Sequence, residues 1–170
     1  MTSIWTALVD FARDNVHLTE AIAFALGFAE SIVFVSLLVP STILFLGLGG
    51  VHSAAGGEFW PVWLAASAGA CAGDCLTYAM GRRWREEAAQ VWPMSRYPDL
   101  FPRSRAMFER WGAASIIIGK FVGMLRPFIP LVAGVSAMNV AVFVLASAAS
   151  SLIWAGVVIA PGYGIALLAR

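Results

Sequence analysis

The chain has 170 residues, of which 60% are hydrophobic and 12% are charged, with a formal net charge of +1. A mean hydropathy of +0.80 is far from that of a soluble domain and predicts a polytopic membrane protein. The small net charge provides no basic face for nucleic-acid binding. The two histidines, His17 and His52, have no partner at metal-ligand spacing, so neither a metal nor a cofactor is indicated and histidine-dependent phosphatase chemistry is excluded.

The N-terminal residues 3–15 carry apolar side chains at helical spacing with charged residues on the opposite face. This pattern predicts a short amphipathic helix that lies at the membrane surface without crossing it. Asn15 or Thr19 is placed to cap the helix that follows. No short apolar segment is followed by a small-residue cleavage site, so a removable signal peptide is not expected.

Residues 21–57 form an apolar segment with a polar break near its middle. As one helix it would reach about 55 Å, well beyond a hydrocarbon core of roughly 30 Å. Two full passes would need about 20 residues each plus a turn, so we predict a re-entrant hairpin that bends at residues 39–42 and leaves through flexible glycine runs at 47–50 and 56–57. Its notable polar and helix-breaking positions are Glu30, Pro40, Ser41, Thr42 and His52.

Residues 59–81 have the length of a transmembrane helix, with a centre made of small side chains. Gly69 and Gly73 form a GxxxG pair, which allows another backbone to approach closely in a homodimer or in an internal contact. Asp74 follows directly, and three roles remain open for it: an interfacial cap, a partner for an arginine, or a proton carrier.

Residues 82–110 are the long polar stretch of the chain, with seven arginines against four acidic residues. By the positive-inside rule this loop is predicted to be cytoplasmic. Three prolines are expected to divide it into short pieces. Arg82, Arg83 and Arg85 flank the preceding span, where arginines fix orientation or contact anionic headgroups.

Residues 112–139 are predicted to form a second re-entrant hairpin whose bend carries Lys120, Arg126, Pro127 and Pro130. A cation at membrane depth costs about 2.5 to 3.5 kcal/mol on insertion scales, so such residues tend to face a partner, a cavity or a ligand. The prolines would keep the bend rigid.

Residues 142–168 are predicted to be the second span. A run of small residues, 147–151, and Trp154 suit helix packing. The sequence Pro-Gly-Tyr-Gly at 161–164 is expected to kink this span or to end it early.

The two halves therefore repeat one order: surface residues, a proline-broken hairpin with buried charge, and a span rich in small residues. With a cytoplasmic connection, one hairpin enters from each side, as in inverted-topology repeats with a midplane site. The predicted fold class is an all-α membrane protein with two facing re-entrant hairpins, each followed by a transmembrane helix.

From about Phe28 to Leu168 the chain resembles the DedA family, also known as SNARE-associated or VTT-domain membrane proteins. The elements that carry the resemblance are Phe28-Ala29-Glu30 with Pro40 ten residues later, Gly73-Asp74, Tyr78, Gly81-Arg82, Phe108, Gly112, Gly119-Lys120-Phe121, Leu125-Arg126, Pro130, Ala133-Gly134, Met138 and Phe143.

The resemblance implies an integral protein of the bacterial inner membrane that moves phospholipid or a polyprenyl phosphate such as undecaprenyl phosphate, with links to the proton gradient. Glu30 matches the acid of the family's first hairpin, and Lys120 and Arg126 match its paired basic positions. Thr42 stands where the family usually has a second acid. Asp74 is the candidate to replace that acid.

The function expected from these observations is a flippase or scramblase for a lipid that bears phosphate, not an enzyme. Arg126 and Lys120 are the candidate phosphate ligands, with Glu30, Pro40, Ser41, Thr42, Pro127 and Pro130 completing the substrate site. Glu30 and Asp74 are the candidates for proton coupling. Three alternatives remain: a small ion or solute transporter on the same hairpins, a lipid-modifying enzyme that uses Ser41 or Thr42, and ion pairs that only lock the hairpins together.

Overall fold

The computed structural model describes residues 10, 14–32, 41–85, 87, 99–122 and 125–168, and no strand occurs among them. The predicted all-α fold class is confirmed for these residues. The surface helix expected at 3–15 lies almost entirely outside them. In the described part of the chain, seven helices follow one another: α1 (Val16–Ser31), α2 (Ser41–Ala54), α3 (Phe59–Trp84), α4 (Leu100–Trp111), α5 (Ala114–Gly119), α6 (Phe128–Val135) and α7 (Val140–Leu168).

The first two helices differ from the predicted hairpin in their ends. Helix α1 begins directly after Asn15, its N-cap residue, so it starts five residues before the expected boundary. Helix α2 begins at Ser41, which places Thr42 in its first turn rather than in a bend. The connection between α1 and α2 falls at 33–40, outside the described residues.

The glycine segment at 47–50 is helical, so the expected flexible exit there is wrong. The reason is close packing: a Cβ built on Gly49 would lie 2.7 Å from the carbonyl oxygen of Ile159 on α7. Glycine at this position lets two helix backbones touch. The second glycine run, 56–57, does lie where the helix ends: the chain turns at residues 55–58, and Gly56 has φ +86.

Helix α7 runs through Pro161 and continues to Leu168, so the expected early end of this span is wrong. Pro161 is exposed, and its ring therefore points away from the packed side of the helix. Neighbouring helices can support a membrane helix past a proline. Among the described residues, Val140–Ala166 is the helix that is long and apolar enough to cross a membrane.

The predicted helix at 59–81 is present as α3, which extends to Trp84 and has a length of roughly 39 Å. That α3 also crosses the bilayer stays a prediction. The polar stretch that follows contains helix α4, which the sequence interpretation divided at its prolines. Pro102 lies in the first turn of α4, where a backbone N–H has no intrahelical partner in any case.

The helices pack around α3 and α7, which also contact each other. Helices α1 and α6 lie against α3, whereas α2 and α5 lie against α7. Each long helix is thus flanked by one short helix from each half of the chain. Lys120 and Arg126, which lie between α5 and α6, are brought into the interior by this arrangement.

The GxxxG pair of α3 is used inside the chain. A Cβ on Gly69 would lie 2.1 Å from the carbonyl oxygen of Phe24, and one on Gly73 would lie 2.5 Å from that of Phe28. Both partners belong to α1, so these two glycines form the α1–α3 interface. The sequence left a dimer contact and an internal contact open, and the internal contact is the one that the structure shows.

Glycines allow close contact between helix backbones at two further interfaces. Where α6 crosses α3, a Cβ on Gly81 would meet the carbonyl oxygen of Leu131 at 2.1 Å. Where α2 crosses α7, a Cβ on Gly162 would meet the carbonyl oxygen of Leu46 at 2.1 Å. In each case a glycine near the end of a long helix packs directly against the backbone of a short helix from the other half of the chain.

Candidate functional site

A buried ion pair joins the end of α1 to the segment before α6. Glu30 lies in the last turn of α1, and its Oε1 accepts a hydrogen bond from Nη1 of Arg126. Both residues are only 7% exposed. Charges of opposite sign at such depth are expected to pair, because desolvating either one alone costs several kcal/mol.

Trp154 of α7 forms one wall of this ion pair. The guanidinium carbon of Arg126 lies 4.0 Å from the centre of the indole ring, a distance typical of a cation–π contact. Phe45 of α2 packs edge-on against the same indole, with ring centres 5.1 Å apart. Arg126 is therefore held by groups from α1 and α7, and α2 supports the indole from behind.

The pair leaves much of its hydrogen-bonding capacity unused. Nε and Nη2 of Arg126 and Oε2 of Glu30 are buried and have no hydrogen-bond partner among the described residues. A guanidinium has five N–H donors in a planar fork, and a carboxylate has two acceptor oxygens. Buried polar groups in native proteins are nearly always satisfied, so these three atoms call for a partner beyond the described residues, either another part of the chain or a ligand.

A second buried pair joins α3 to the residue that follows α5. Oδ2 of Asp74 accepts a hydrogen bond from Nζ of Lys120 and a second, at 2.8 Å, from Oγ of Ser147. Nζ of Lys120 also donates to Oγ of Ser151 at 2.7 Å. Unlike the first pair, these charges are supported by neutral hydroxyl groups from α7.

The two pairs are tied to one scaffold. Oγ1 of Thr77, three residues after Asp74 on α3, donates to the carbonyl oxygen of Ser31 at 2.9 Å. Ser31 follows Glu30 and ends α1, so this hydrogen bond satisfies one of the last carbonyls of that helix. The position of Glu30 is thereby fixed relative to Asp74.

The remaining predicted site residues fall into two groups. Pro127, which directly follows Arg126, is the N-cap of α6, Pro130 lies in the first turn of α6, and both are buried. Pro130 is thus helical rather than part of a bend. Thr42 is exposed in the first turn of α2. Pro40 and the side chain of Ser41 lie outside what the structure describes.

Ser147, Ser151 and Trp154 were interpreted from the sequence as packing residues, although they contact the charged side chains directly. Their spacing of four and three places them on one face of α7, since residues three and four apart are neighbours on a helix. Two hydroxyls and an indole along one stripe of an apolar helix are the signal that could have indicated a polar surface there.

These features define a helical membrane protein in which two buried ion pairs join α1 and α3 to the residues between α5 and α6. The chain belongs to the VTT-domain family, whose model matches residues 39–164. This confirms the family that the sequence elements indicated.

Curated relatives are bacterial membrane proteins. The chain is 30% identical over 135 residues to inner membrane protein YabI of Escherichia coli K12, a match that covers 79% of this chain and 53% of YabI. It is 27% identical over 162 residues to an uncharacterised membrane protein of Buchnera aphidicola, covering 94% of this chain and 63% of that protein. It is 26% identical over 155 residues to inner membrane protein YghB of Escherichia coli K12, a match that covers 90% of this chain and 70% of YghB.

The chain therefore spans between half and two thirds of the length of YabI and the Buchnera protein. No solved structure matches it significantly. The family and these relatives place the chain in the bacterial inner membrane.

Proposed function

We propose that this protein is a membrane transporter or scramblase that moves a phosphate-bearing lipid, either a phospholipid or a polyprenyl phosphate, across the bilayer. The observation that carries the proposal is the half-used guanidinium of Arg126, which is buried with Nε and Nη2 free of partners among the described residues. A phosphate oxygen is a natural acceptor for these two nitrogens, because a guanidinium binds phosphate in bidentate geometry.

Phosphate binding would exchange one partner of Arg126 for another. Glu30 holds Arg126 through Oε1, and the arriving phosphate would replace that carboxylate while the indole of Trp154 keeps the guanidinium in place. Because the displaced Glu30 stays in the protein, the site would then hold two anions beside one cation, and the charge balance is restored when Glu30 takes up a proton. Glu30 is then the carboxylate placed to accept a proton, and proton coupling through Glu30 is an extension of the proposal.

The proposed architecture is an inverted repeat of two re-entrant hairpins, α1–α2 and α5–α6, with the site between them. Two observations support it. Each long helix packs against one short helix from each half. The crossings of α6 over α3 and of α2 over α7 both use a glycine near the end of the long helix, Gly81 and Gly162. In transporters with such repeats, substrate sites lie near the midplane at the repeat interface.

The test is lipid movement in proteoliposomes that contain the purified protein and a fluorescent analogue of either a phospholipid or a polyprenyl phosphate. We expect faster movement than in empty vesicles for at least one analogue, and loss of that movement in Arg126→Ala. Arg103→Ala removes an exposed arginine of α4 and is the matched control. The proposal fails if no lipid analogue moves, with or without a pH gradient.

A further inference from the structure

A groove at the arginine-rich end of α3 lies apart from the ion pairs described above. It is a cavity of about 500 Å³ lined by Cys75 and Ala79 of α3 and by Val140 and Val144 of α7, with Arg82 and Arg83 at one end. We call it the α3–α7 groove. Its interior is apolar, whereas its end is strongly basic.

Aromatic stacking and hydrogen bonds hold the floor of the groove and Arg82 at its basic end. Tyr78 stacks on Phe143 with ring centres 4.3 Å apart, and both side chains are buried. The hydroxyl of Tyr78 donates to the carbonyl oxygen of Met138 and accepts a hydrogen bond from Nη1 of Arg82 at 2.9 Å. One nitrogen of Arg82 is thus fixed at the end of the apolar surface, and its other nitrogens donate to no other side chain in the described part of the chain.

A second cavity of about 590 Å³ adjoins the first, since Arg82 and Arg83 line both. Arg85 and Glu87 also line it, so three arginines face one carboxylate. Within the described residues, no acidic side chain forms an ion pair with any of these three arginines. A ligand that extends through both cavities therefore needs an apolar part next to an anionic part.

We propose that the α3–α7 groove binds an anionic glycerophospholipid of the cytoplasmic leaflet, with an acyl chain against Val140 and Val144 and the phosphate at Arg82 and Arg83. From Cys75 to Arg83 the groove follows α3 for about 12 Å, which is the upper part of one leaflet in a core of roughly 30 Å. The chain continues from Arg83 into the segment that the positive-inside rule assigns to the cytoplasm. This lipid is a resident ligand, and its binding does not depend on what Arg126 carries.

The experiment measures lipid association with the purified full chain in vesicles of phosphatidylcholine, using spin-labelled phosphatidylglycerol and spin-labelled phosphatidylcholine as probes. We expect phosphatidylglycerol to be immobilised preferentially. Its preference should fall about fivefold in Arg83→Ala and further in the double variant with Arg82→Ala, because each arginine near a membrane surface contributes about 1 kcal/mol toward an anionic lipid. Arg103→Ala, which removes an exposed arginine elsewhere, should leave the preference unchanged.

A second variant tests the apolar half. Val144→Trp should fill the groove and release both probes, whereas Val157→Trp, at a more exposed position of α7 outside the groove, should not. Val144→Trp leaves every arginine in place. It therefore separates the binding of the acyl chain in the groove from the electrostatic attraction of the headgroup.

Three results would overturn the inference: equal immobilisation of the two probes, an effect of Arg103→Ala as large as that of Arg83→Ala, or unchanged binding in Val144→Trp. None of these results depends on lipid transport, so they distinguish failure of this site from failure of the transport proposal.

Discussion

The two buried ion pairs have the same charges but different surroundings. Asp74 and Lys120 are supported by the hydroxyls of Ser147 and Ser151, which accompany the charges on one stripe of α7. Glu30 and Arg126 have only each other and the face of Trp154, with three polar atoms left without partners among the described residues. The Asp74–Lys120 pair resembles a structural contact, whereas the Glu30–Arg126 pair retains donors that a ligand could use.

This difference suggests a division of roles. A buried pair whose hydrogen bonds are complete has little to gain from a ligand, because the ligand must displace partners that already fit. A pair with unused donors forms new hydrogen bonds when phosphate arrives. The phosphate also replaces the carboxylate as the partner of the cation. We therefore assign stability to Asp74–Lys120 and binding to Glu30–Arg126, and the following experiments test that assignment.

The largest expected effect is on folding. Lys120→Met should destabilise the protein by about 3 to 5 kcal/mol, because Asp74 would be left buried without a cation. Thermal unfolding of the purified protein in detergent measures this change. The double variant that adds Asp74→Asn should recover most of the loss, since no uncompensated charge remains.

The same double variant tests the proton-carrier role predicted for Asp74. If it folds and transports lipid at the wild-type rate with unchanged dependence on the pH gradient, Asp74 is a structural partner. Loss of the pH dependence alone would instead show that Asp74 carries the proton, and the assignment of roles would be wrong.

The next largest effect, on lipid transport, is expected when the charges of Glu30 and Arg126 are exchanged. The double variant Glu30→Arg with Arg126→Glu keeps one cation beside one anion but moves the cation to the end of α1, away from Trp154. We expect a folded protein whose lipid transport in proteoliposomes is abolished. Transport at the wild-type rate would identify this pair as a simple lock between the helices.

Arg126→Lys should lower transport about tenfold with only a small loss of stability. Lysine preserves the charge that pairs with Glu30 but lacks the planar fork that binds phosphate at two points. Transport rates and unfolding temperatures of the same preparation separate the two quantities. Lys120→Arg is the reciprocal control, and a comparable loss of transport there would remove the distinction between the pairs.

Trp154→Leu should weaken the site moderately, by roughly 0.5 to 2 kcal/mol, the range typical of a cation–π contact. Trp154→Phe keeps an aromatic face and should lose less. The measured quantity is the lipid concentration at half-maximal transport, which rises as the site weakens. If the leucine and phenylalanine variants raise it equally, the indole acts by filling space and not by holding Arg126.

The smallest effect is expected for Thr77→Val, which removes the hydrogen bond to Ser31 at nearly constant volume. A typical loss is about 1 kcal/mol. Unfolding measurements should show this change. A larger fall in transport than in stability would indicate that Thr77 sets the position of Glu30, whereas equal falls would assign it to the scaffold alone.

Much of the fold followed from hydropathy and charge. The positions of α3 and α7, the break around Lys120 and Arg126, and the membrane class were predicted because long apolar runs favour the bilayer and cations within them require partners. The positions of glycines and prolines were interpreted less well. Both Gly49 and Pro161 lie inside helices although each tends to interrupt one. Gly49 is held by its close contact with α7, and the ring of Pro161 is tolerated because it is exposed.

The candidate site was predicted as a set of charges but not as pairs. Glu30, Asp74, Lys120 and Arg126 all proved to be buried, as their positions in apolar segments suggested. Which acid meets which base depends on how α1 and α3 lie against the segment between α5 and α6, and residues 30 and 126 are separated by 96 positions. No local pattern encodes such a contact.

The sequence by itself determined that this chain belongs in a membrane, that its charges must be buried in opposite-sign partnership, and which residues carry them. These properties follow from the free energy of transfer of each side chain, which is local. Only the tertiary structure decided that Ser147 and Ser151 support one ion pair, whereas Trp154 covers the other, whose Nε and Nη2 donors meet no partner among the described residues. That distinction arises from the rotation of α7 relative to its neighbours, which is fixed by packing across the whole molecule.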